Sequence, residues 1–190
     1  IWSQRTTSVL FGGASASIDS AGALVYFIAN STGTNWQSGG TSSGLTITLN
    51  SWQHIALIRS GNTVTIYRNG IAGTPITVAT GLVQYFGNLA LMAGAADGSQ
   101  KTDGYISNFR MVKGTAVYTG AFTPPTLAPL TNDGSTSAAS YPSTTNVNTS
   151  FSSSITGLLT NYTNAGIYDA AVQNNVITVG DAQASTTVSK

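Results

Sequence analysis

The chain has 190 residues, 41% of them apolar and only 7% charged, with a formal net charge of +1. Its length suits one domain with a real core, with or without an arm. So few scattered cations cannot neutralise a run of phosphates or hold an acidic membrane surface, which excludes nucleic-acid binding and electrostatic membrane adhesion. The charged share is far below the roughly 25% of ordinary soluble domains. Ser and Thr supply 51 positions instead, so solubility rests on hydroxyls and amides.

Along the chain no stretch keeps a helical period between caps. Short alternating runs punctuated by Gly, Asn, Ser or Asp recur, the pattern of an antiparallel all-β domain. Strands are predicted at Ser8 to Phe11, Leu24 to Ala29, Leu45 to Leu49, Trp52 to Arg59, Thr63 to Arg68, Ile76 to Ala79, Leu89 to Met92 and Tyr105 to Val112. The longest apolar run, Ala23 to Ala29, is too short to span a bilayer. In Thr63 to Arg68, Val64 and Ile66 share one face while Thr63, Thr65 and Tyr67 share the other. Ser60-Gly61-Asn62 and Asn69-Gly70 read as tight turns, since Gly and Asn accept positive φ cheaply. Eight or so strands at this spacing favour an antiparallel two-sheet sandwich or jelly roll.

After Leu130 the composition changes. Of the 24 residues from Thr131 to Ser154, 13 are Ser or Thr, which predicts a Ser/Thr-rich linker or an extended surface strand. Apolar positions return at Ile155, Leu158, Leu159, Ile167, Val172, Val176, Ile177 and Val179, so residues 155–190 should form a β arm that packs on something. The domain reading is therefore a sandwich over 1–130, a linker over 131–154 and an arm over 155–190. With no initiator Met and no signal-peptide pattern at Ile1, the chain is expected to be a processed or excised piece.

The stretch Trp52-Gln53-His54-Ile55-Ala56-Leu57-Ile58-Arg59, a turn, and Val64-Thr65-Ile66-Tyr67-Arg68-Asn69-Gly70 resemble the signature of laminin-G-like, concanavalin-A-type modules. Asp103-Gly104-Tyr105-Ile106-Ser107-Asn108-Phe109-Arg110-Met111-Val112-Lys113-Gly114-Thr115-Ala116-Val117-Tyr118-Thr119, with Phe122-Thr123-Pro124-Pro125 and Pro129-Leu130, resembles the closing motif of versions found in virion structural proteins of marine tailed bacteriophages. Together these cover about residues 1 to 130. They imply a jelly-roll sandwich in a tail, fibre or capsid appendage, located in the virion. The usual opening core strand is missing before Ile1-Trp2. The segment Leu158 to Asp169, continued through Val179 to Val188, resembles the start of a further module. The tail would then supply strands to its own sandwich by circular permutation, or to a neighbour by strand exchange.

The catalytic inventory is thin. All six acids are Asp, at 19, 97, 103, 133, 169 and 181. Retaining glycoside hydrolysis needs two carboxyls about 5–5.5 Å apart, and no acidic pair has the spacing that sets both on one strand face. His54 is the single imidazole, and no G-x-S-x-G elbow accompanies it. It reads as a half-buried strand histidine bonded to backbone. One histidine and no cysteine exclude multi-histidine and thiolate metal sites. The chain is read as no enzyme. It has no required cofactor, although Asp97 and Asp103, amid glycines, could hold Ca²⁺ with main-chain carbonyls. Lys101 between them and the commonness of Asp-Gly turns favour plain turns.

Trp36 sits among Asn35, Gln37, Ser38 and Gly39-Gly40, which predicts a polar loop where a flat ring beside amides could stack on a sugar. Tyr85 and Tyr118 are further glycan-binding candidates, whereas Trp52 reads as core. Set against the lectin reading, Trp36 could plug the sandwich or pack on a neighbouring subunit. Two functions result. The first is a virion structural and assembly module whose partners are its own copies or other virion proteins. The second is a carbohydrate-binding adhesin contacting host-surface glycan. Neither involves nucleic acid or membrane insertion.

Overall fold

Twelve strands and no helix make up the described part of the computed structural model, which covers residues 1–3, 13–79, 81, 89–94, 100–124, 146–148, 156–163 and 166–169. All strand pairing is antiparallel. Among the described residues the fold is all-β, with the antiparallel sheets expected of a jelly-roll sandwich. The chain divides into two compact units, Ile1–Gly104 and Tyr105–Lys190.

In the first unit, β1 (Trp2–Ser3) pairs with β9 (Ala90–Leu91). A second sheet runs β2 (Ala14–Ile18), β3 (Ala23–Ala29) and β4 (Trp36–Thr46). A third runs β5 (Ile55–Ser60), β6 (Thr63–Arg68) and β7 (Ile71–Ala72), with β8 (Ile76–Thr77) also on β6. In the second unit, β11 (Thr156–Thr163) lies between β10 (Phe109–Val112) and β12 (Gly166–Asp169).

The core follows from period-2 alternation. Leu24, Tyr26 and Ile28 of β3, with Ala16 of β2, meet Val64 and Ile66 of β6 and Val78 in one buried cluster. The inward direction of Val64 and Ile66 is as the alternation predicts, although Tyr67 on the opposite face is also buried. The two turns read from sequence are present. Asn69 and Gly70 have φ of 51° and 80°, the signs of a type I′ hairpin, and Gly61 at 59° opens a two-residue loop between Ser60 and Thr63.

Several strand limits differ from the sequence reading, each for a local reason. The strand predicted at Leu45 to Leu49 is β4, which begins at Trp36 and ends at Thr46. Its Ser/Gly run hides the strand because three register shifts interrupt alternation, with Gly40 and Gly44 at φ of 80° and 75°. β5 begins at Ile55, so Trp52 and His54 precede it, and Trp52 is 38% exposed instead of core. β9 stops before Met92, whose φ is 61°, and β10 starts after Asn108, whose φ is 55°; both leave the extended region. β8 is shorter than predicted, and β1, β2 and β7 were not read at all. The strand predicted at Ser8 to Phe11 lies outside the described residues, as does the 131–154 linker except Asn146 to Asn148.

One side chain ties the two sheets of the core together. The Tyr26 hydroxyl, fully buried, accepts the Ile66 N–H at 2.8 Å and donates to the Thr74 carbonyl at 2.9 Å. Thr74 N–H in turn donates to the Ser43 carbonyl at 2.7 Å. Gly73 makes this approach feasible, since a Cβ there would lie 2.6 Å from the Ser43 oxygen. Burial pushes the Tyr26 phenol above its ordinary value, and Tyr67 moves the same way for the same reason.

Tyr26→Phe should therefore cost about 1–3 kcal/mol, because it strands the buried Ile66 N–H and takes the donor from the Thr74 carbonyl. The pH dependence follows from the raised phenol. The unfolded chain releases this proton from about pH 10 while the folded chain keeps it, so stability is complete below pH 10 and falls as pH rises toward the folded value. Urea midpoints from pH 7 to 11 should show that decline in the wild type and a shallower one in Tyr26→Phe, with Tyr67 supplying the remainder. Equal slopes would refute this assignment.

Candidate functional site

The candidate site is the β3–β4 hairpin and the first turn of β4. Six residues, Asn30 to Asn35, close it, and they hold themselves in shape. Asn30 N–H donates to the Asn35 carbonyl at 2.8 Å, and Gly33 N–H to the Asn30 carbonyl at 3.2 Å. The Asn30 amide oxygen accepts from Thr34 N–H at 3.0 Å and Asn35 N–H at 3.3 Å, while its Nδ2 donates to Thr34 Oγ1 at 3.1 Å. The local side-chain bonding expected of Asn and Thr here replaces a backbone ladder.

Trp36 opens β4 directly after this loop and is half-buried, so it belongs to a strand and not to the polar loop predicted from its neighbours. Its indole meets Phe27 edge to face, with centroids 5.3 Å apart and planes at 71°. It also lies over Gly39, where a Cβ would sit 3.2 Å from the indole Cδ1 and 3.3 Å from Cγ. Phe27 itself reaches toward Gly40. Two aromatic rings above two glycines thus form a shelf on the sheet face turned away from the core.

The other predicted residues separate. Asn35 is exposed, and its Oδ1 accepts the Trp36 N–H at 2.8 Å. Gln37 is fully engaged: Nε2 donates to the Ala29 carbonyl at 3.0 Å and Oε1 accepts from Ala79 N–H at 2.6 Å. It braces a strand end instead of facing a ligand. Tyr118 belongs to the second unit, is 4% exposed, and stacks on Phe122 with centroids 3.6 Å apart. That burial removes it as an exposed platform. Tyr85 and Asp97 lie outside the described residues. Asp103 is exposed, and among the described residues no group of three or more His, Cys, Asp or Glu could hold a metal.

Two other residues from the catalytic inventory are placed structurally. Asp19 Oδ1 accepts the N–H groups of Ala21 and Ala23 at 2.9 and 2.8 Å, shaping the β2–β3 turn. His54 is held through its backbone: its N–H donates to Asn69 Oδ1 and its carbonyl accepts the Asn69 N–H, both at 2.8 Å. The residue that sequence reasoning missed is Phe27. Its signal was present, since a large aromatic out of phase with Leu24, Tyr26 and Ile28 must point away from the core.

A family model described as the concanavalin A-like lectin/glucanases superfamily, of laminin G type, matches residues 3–128. The chain belongs to this superfamily. No curated protein and no solved structure matches it. Membership agrees with the antiparallel sheets, with the W-x-H positions just before β5 and with the Asn-Gly turn between β6 and β7. The superfamily holds both lectins and glucanases, so it fixes the scaffold and leaves the activity to the site.

If the shelf depends on Gly39, Gly39→Ala should displace the indole by a few tenths of an ångström and cost about 1 kcal/mol. Tryptophan emission should shift relative to wild type, and the shift should vanish in a Trp36→Phe background. Unchanged emission in the Gly39→Ala chain would show that the ring does not rest there.

Proposed function

We propose that this chain is a non-enzymatic structural and assembly module of a phage particle, part of a tail, fibre or capsid appendage. Its partners would be other copies of itself or other virion proteins, and it would need no resident cofactor. The observation that carries this reading is the use of polar groups around Trp36. Asn30 and Gln37 spend both amide atoms on the chain itself. A site evolved to hold a sugar keeps such donors and acceptors aimed outward. The low charge also supports it, since faces of small hydroxyl side chains approach one another at little desolvation cost. The virion placement rests on the resemblance of Asp103 to Leu130 to the closing motif of phage structural modules.

The non-enzymatic part rests on the acids. There is no Glu, Asp19 is occupied by a turn, and Asp103 has no acidic neighbour at hydrolytic spacing in the sequence. A second reading, a glycan-binding adhesin, is favoured by one feature. Trp36 is only half-buried, and the exposed Asn35 stands beside it.

Both readings are testable. Mass spectrometry of density-purified particles of a phage carrying this sequence should detect its peptides at a copy number that is a multiple of the particle's symmetry. Their absence from intact particles would overturn the assembly reading. On a glycan array the wild-type chain should bind no better than Trp36→Ala. A signal lost in Trp36→Ala would transfer the conclusion to the adhesin reading.

A further inference from the structure

β5 stands at the end of its sheet. It pairs with β6 in an unbroken register from Ile55 opposite Arg68 to Ser60 opposite Thr63, and among the described residues no strand lies on its other side. The bond from Asn69 N–H to the His54 carbonyl shows which residues turn toward β6. By antiparallel alternation Ala56, Ile58 and Ser60 follow His54, so the N–H and C=O groups of Ile55, Leu57 and Arg59 point out of the sheet edge.

This edge lacks the usual protections. β4 is bulged by three register shifts, whereas β5 has no bulge, no Pro and no Gly, and its one charge is Arg59. That guanidinium is turned back on its own hairpin, where Nε donates to the Gly61 carbonyl at 2.8 Å. The side chains are incompletely covered as well. Val64 and Ile66 of β6 are 1% and 0% exposed, yet Ile55 and Leu57, which pack on the same core from the next strand, are only half-buried. A further strand beside β5 would cover them.

The strand is its own complement. Antiparallel pairing of two copies about a two-fold axis normal to the sheet keeps both core faces on one side, so facing residues must share parity. Of the registers this allows, only the one centred on Leu57 joins all three outward residues of each copy: Leu57 faces Leu57 of the other copy, and Ile55 faces its Arg59. The two Arg59 side chains then lie at opposite ends of the ladder. On the outer face Ala56 meets Ile58 of the other copy, a small residue against a large one. Beside the ladder, Trp52, 38% exposed, comes alongside the Ser60-Gly61-Asn62 turn of the other copy, where a Cβ on Gly61 would meet nothing within 4 Å.

We propose that β5 is a self-pairing edge: two copies join through Ile55–Ser60 in this register, and their two four-stranded sheets become one of eight. This rests on the assembly reading and names its partner, a second copy, and the surface it uses. A six-residue ladder with one aromatic anchor falls below the roughly 1,200 Å² of a stable interface, so pairing is weak in dilute solution and is completed where copies are concentrated, as in a particle.

The chain has no cysteine, so single cysteines report the register. Ala56→Cys chains mixed with Ile58→Cys chains bring two thiols onto facing outer positions, with Cα atoms about 4.5 Å apart. In either chain alone the thiols are offset along the strand. After oxidation at about 1 mM, a non-reducing gel should show several-fold more linked dimer in the mixture than in either chain alone. Equal amounts in all three, or none in the mixture, would overturn the proposal.

A second measurement leaves the chain unaltered. The sedimentation-equilibrium mass of the wild type should rise from that of one chain at about 5 µM to near twice that at about 1 mM. Leu57→Pro removes the central N–H from the open edge and none from the β6 ladder, so it should keep its β-sheet circular dichroism and stay a single chain at both concentrations. A wild type that remains single, one that grows past two copies, or a Leu57→Pro chain that pairs equally well refutes two-fold pairing at β5. If the wild type stays single while its peptides are found in particles, the assembly reading stands and only this contact is lost.

Discussion

The fold depends on a gap in one ladder. β6 is paired along its length by β5, but on its other side β7 and β8 leave an interval at Gly73-Thr74-Pro75. Pro75 has no N–H to give, and the chain bends away there. Ile66 lies opposite the interval with its main chain facing the interior, where an unpaired amide is costly. Gly73 N–H takes the Ile66 carbonyl at 2.8 Å, and the Tyr26 hydroxyl takes its N–H. A phenol that reaches across from the facing sheet therefore completes the ladder, and in doing so it sets the separation of the two sheets.

The same logic explains why hydroxyls sit in the interior of so hydroxyl-rich a chain. Register shifts along β3 and β4 leave carbonyls without a regular ladder donor. Ser43, 1% exposed, donates to the Leu24 carbonyl at 2.7 Å, and Ser38, 6% exposed, reaches the Tyr26 carbonyl at 3.4 Å. Both serines stand on the core side, where alternation alone would call for Val or Ile. Ser43 also passes the connection on, because its own carbonyl accepts from Thr74. Leu24, Tyr26, Ser43, Thr74 and Ile66 thus form one continuous path of hydrogen bonds across the sandwich. A β4 that were regular and apolar would have no means of making it.

This accounts for which parts were legible from the residues. Thr63 to Arg68 appears with the predicted limits, since alternation and two glycine-bearing turns all specify it. The all-β class and the core-facing positions of Val64 and Ile66 depend on the same period-2 signal. β4 was illegible because its pairing is supplied by β3: a Ser/Gly sequence has weak strand preference of its own, and bulges erase its alternation. Trp36 was misplaced with it. Its polar neighbours suggested a loop, whereas Gly39 and Gly40 are there to let two rings lie on a strand. Gln37 looked like a ligand-facing amide because sequence cannot show that the Ala29 carbonyl and the Ala79 N–H converge on it.

The proposed function rests on how these polar groups are spent. In a lectin, amides and hydroxyls converge on the ligand and the scaffold beneath them is closed by main-chain bonds. Here the scaffold itself is bulged, and Asn30, Gln37, Ser38, Ser43, Asn69 and Thr160 bond to the chain itself to close it. What then remains outward among the described residues is mostly small hydroxyl side chains, a half-buried indole, few charges and single exposed apolar side chains such as Leu49, Ile71 and Tyr105. Such a surface gives little direction to a small ligand and little repulsion to a second protein. On the assembly reading proposed above, main-chain edges would carry association; within the second unit β11 already supplies a strand to the β10 edge. The composition that makes the chain hard to read as strands is thus the composition that lets its strands be completed by hydroxyls within and by other strands at its edges.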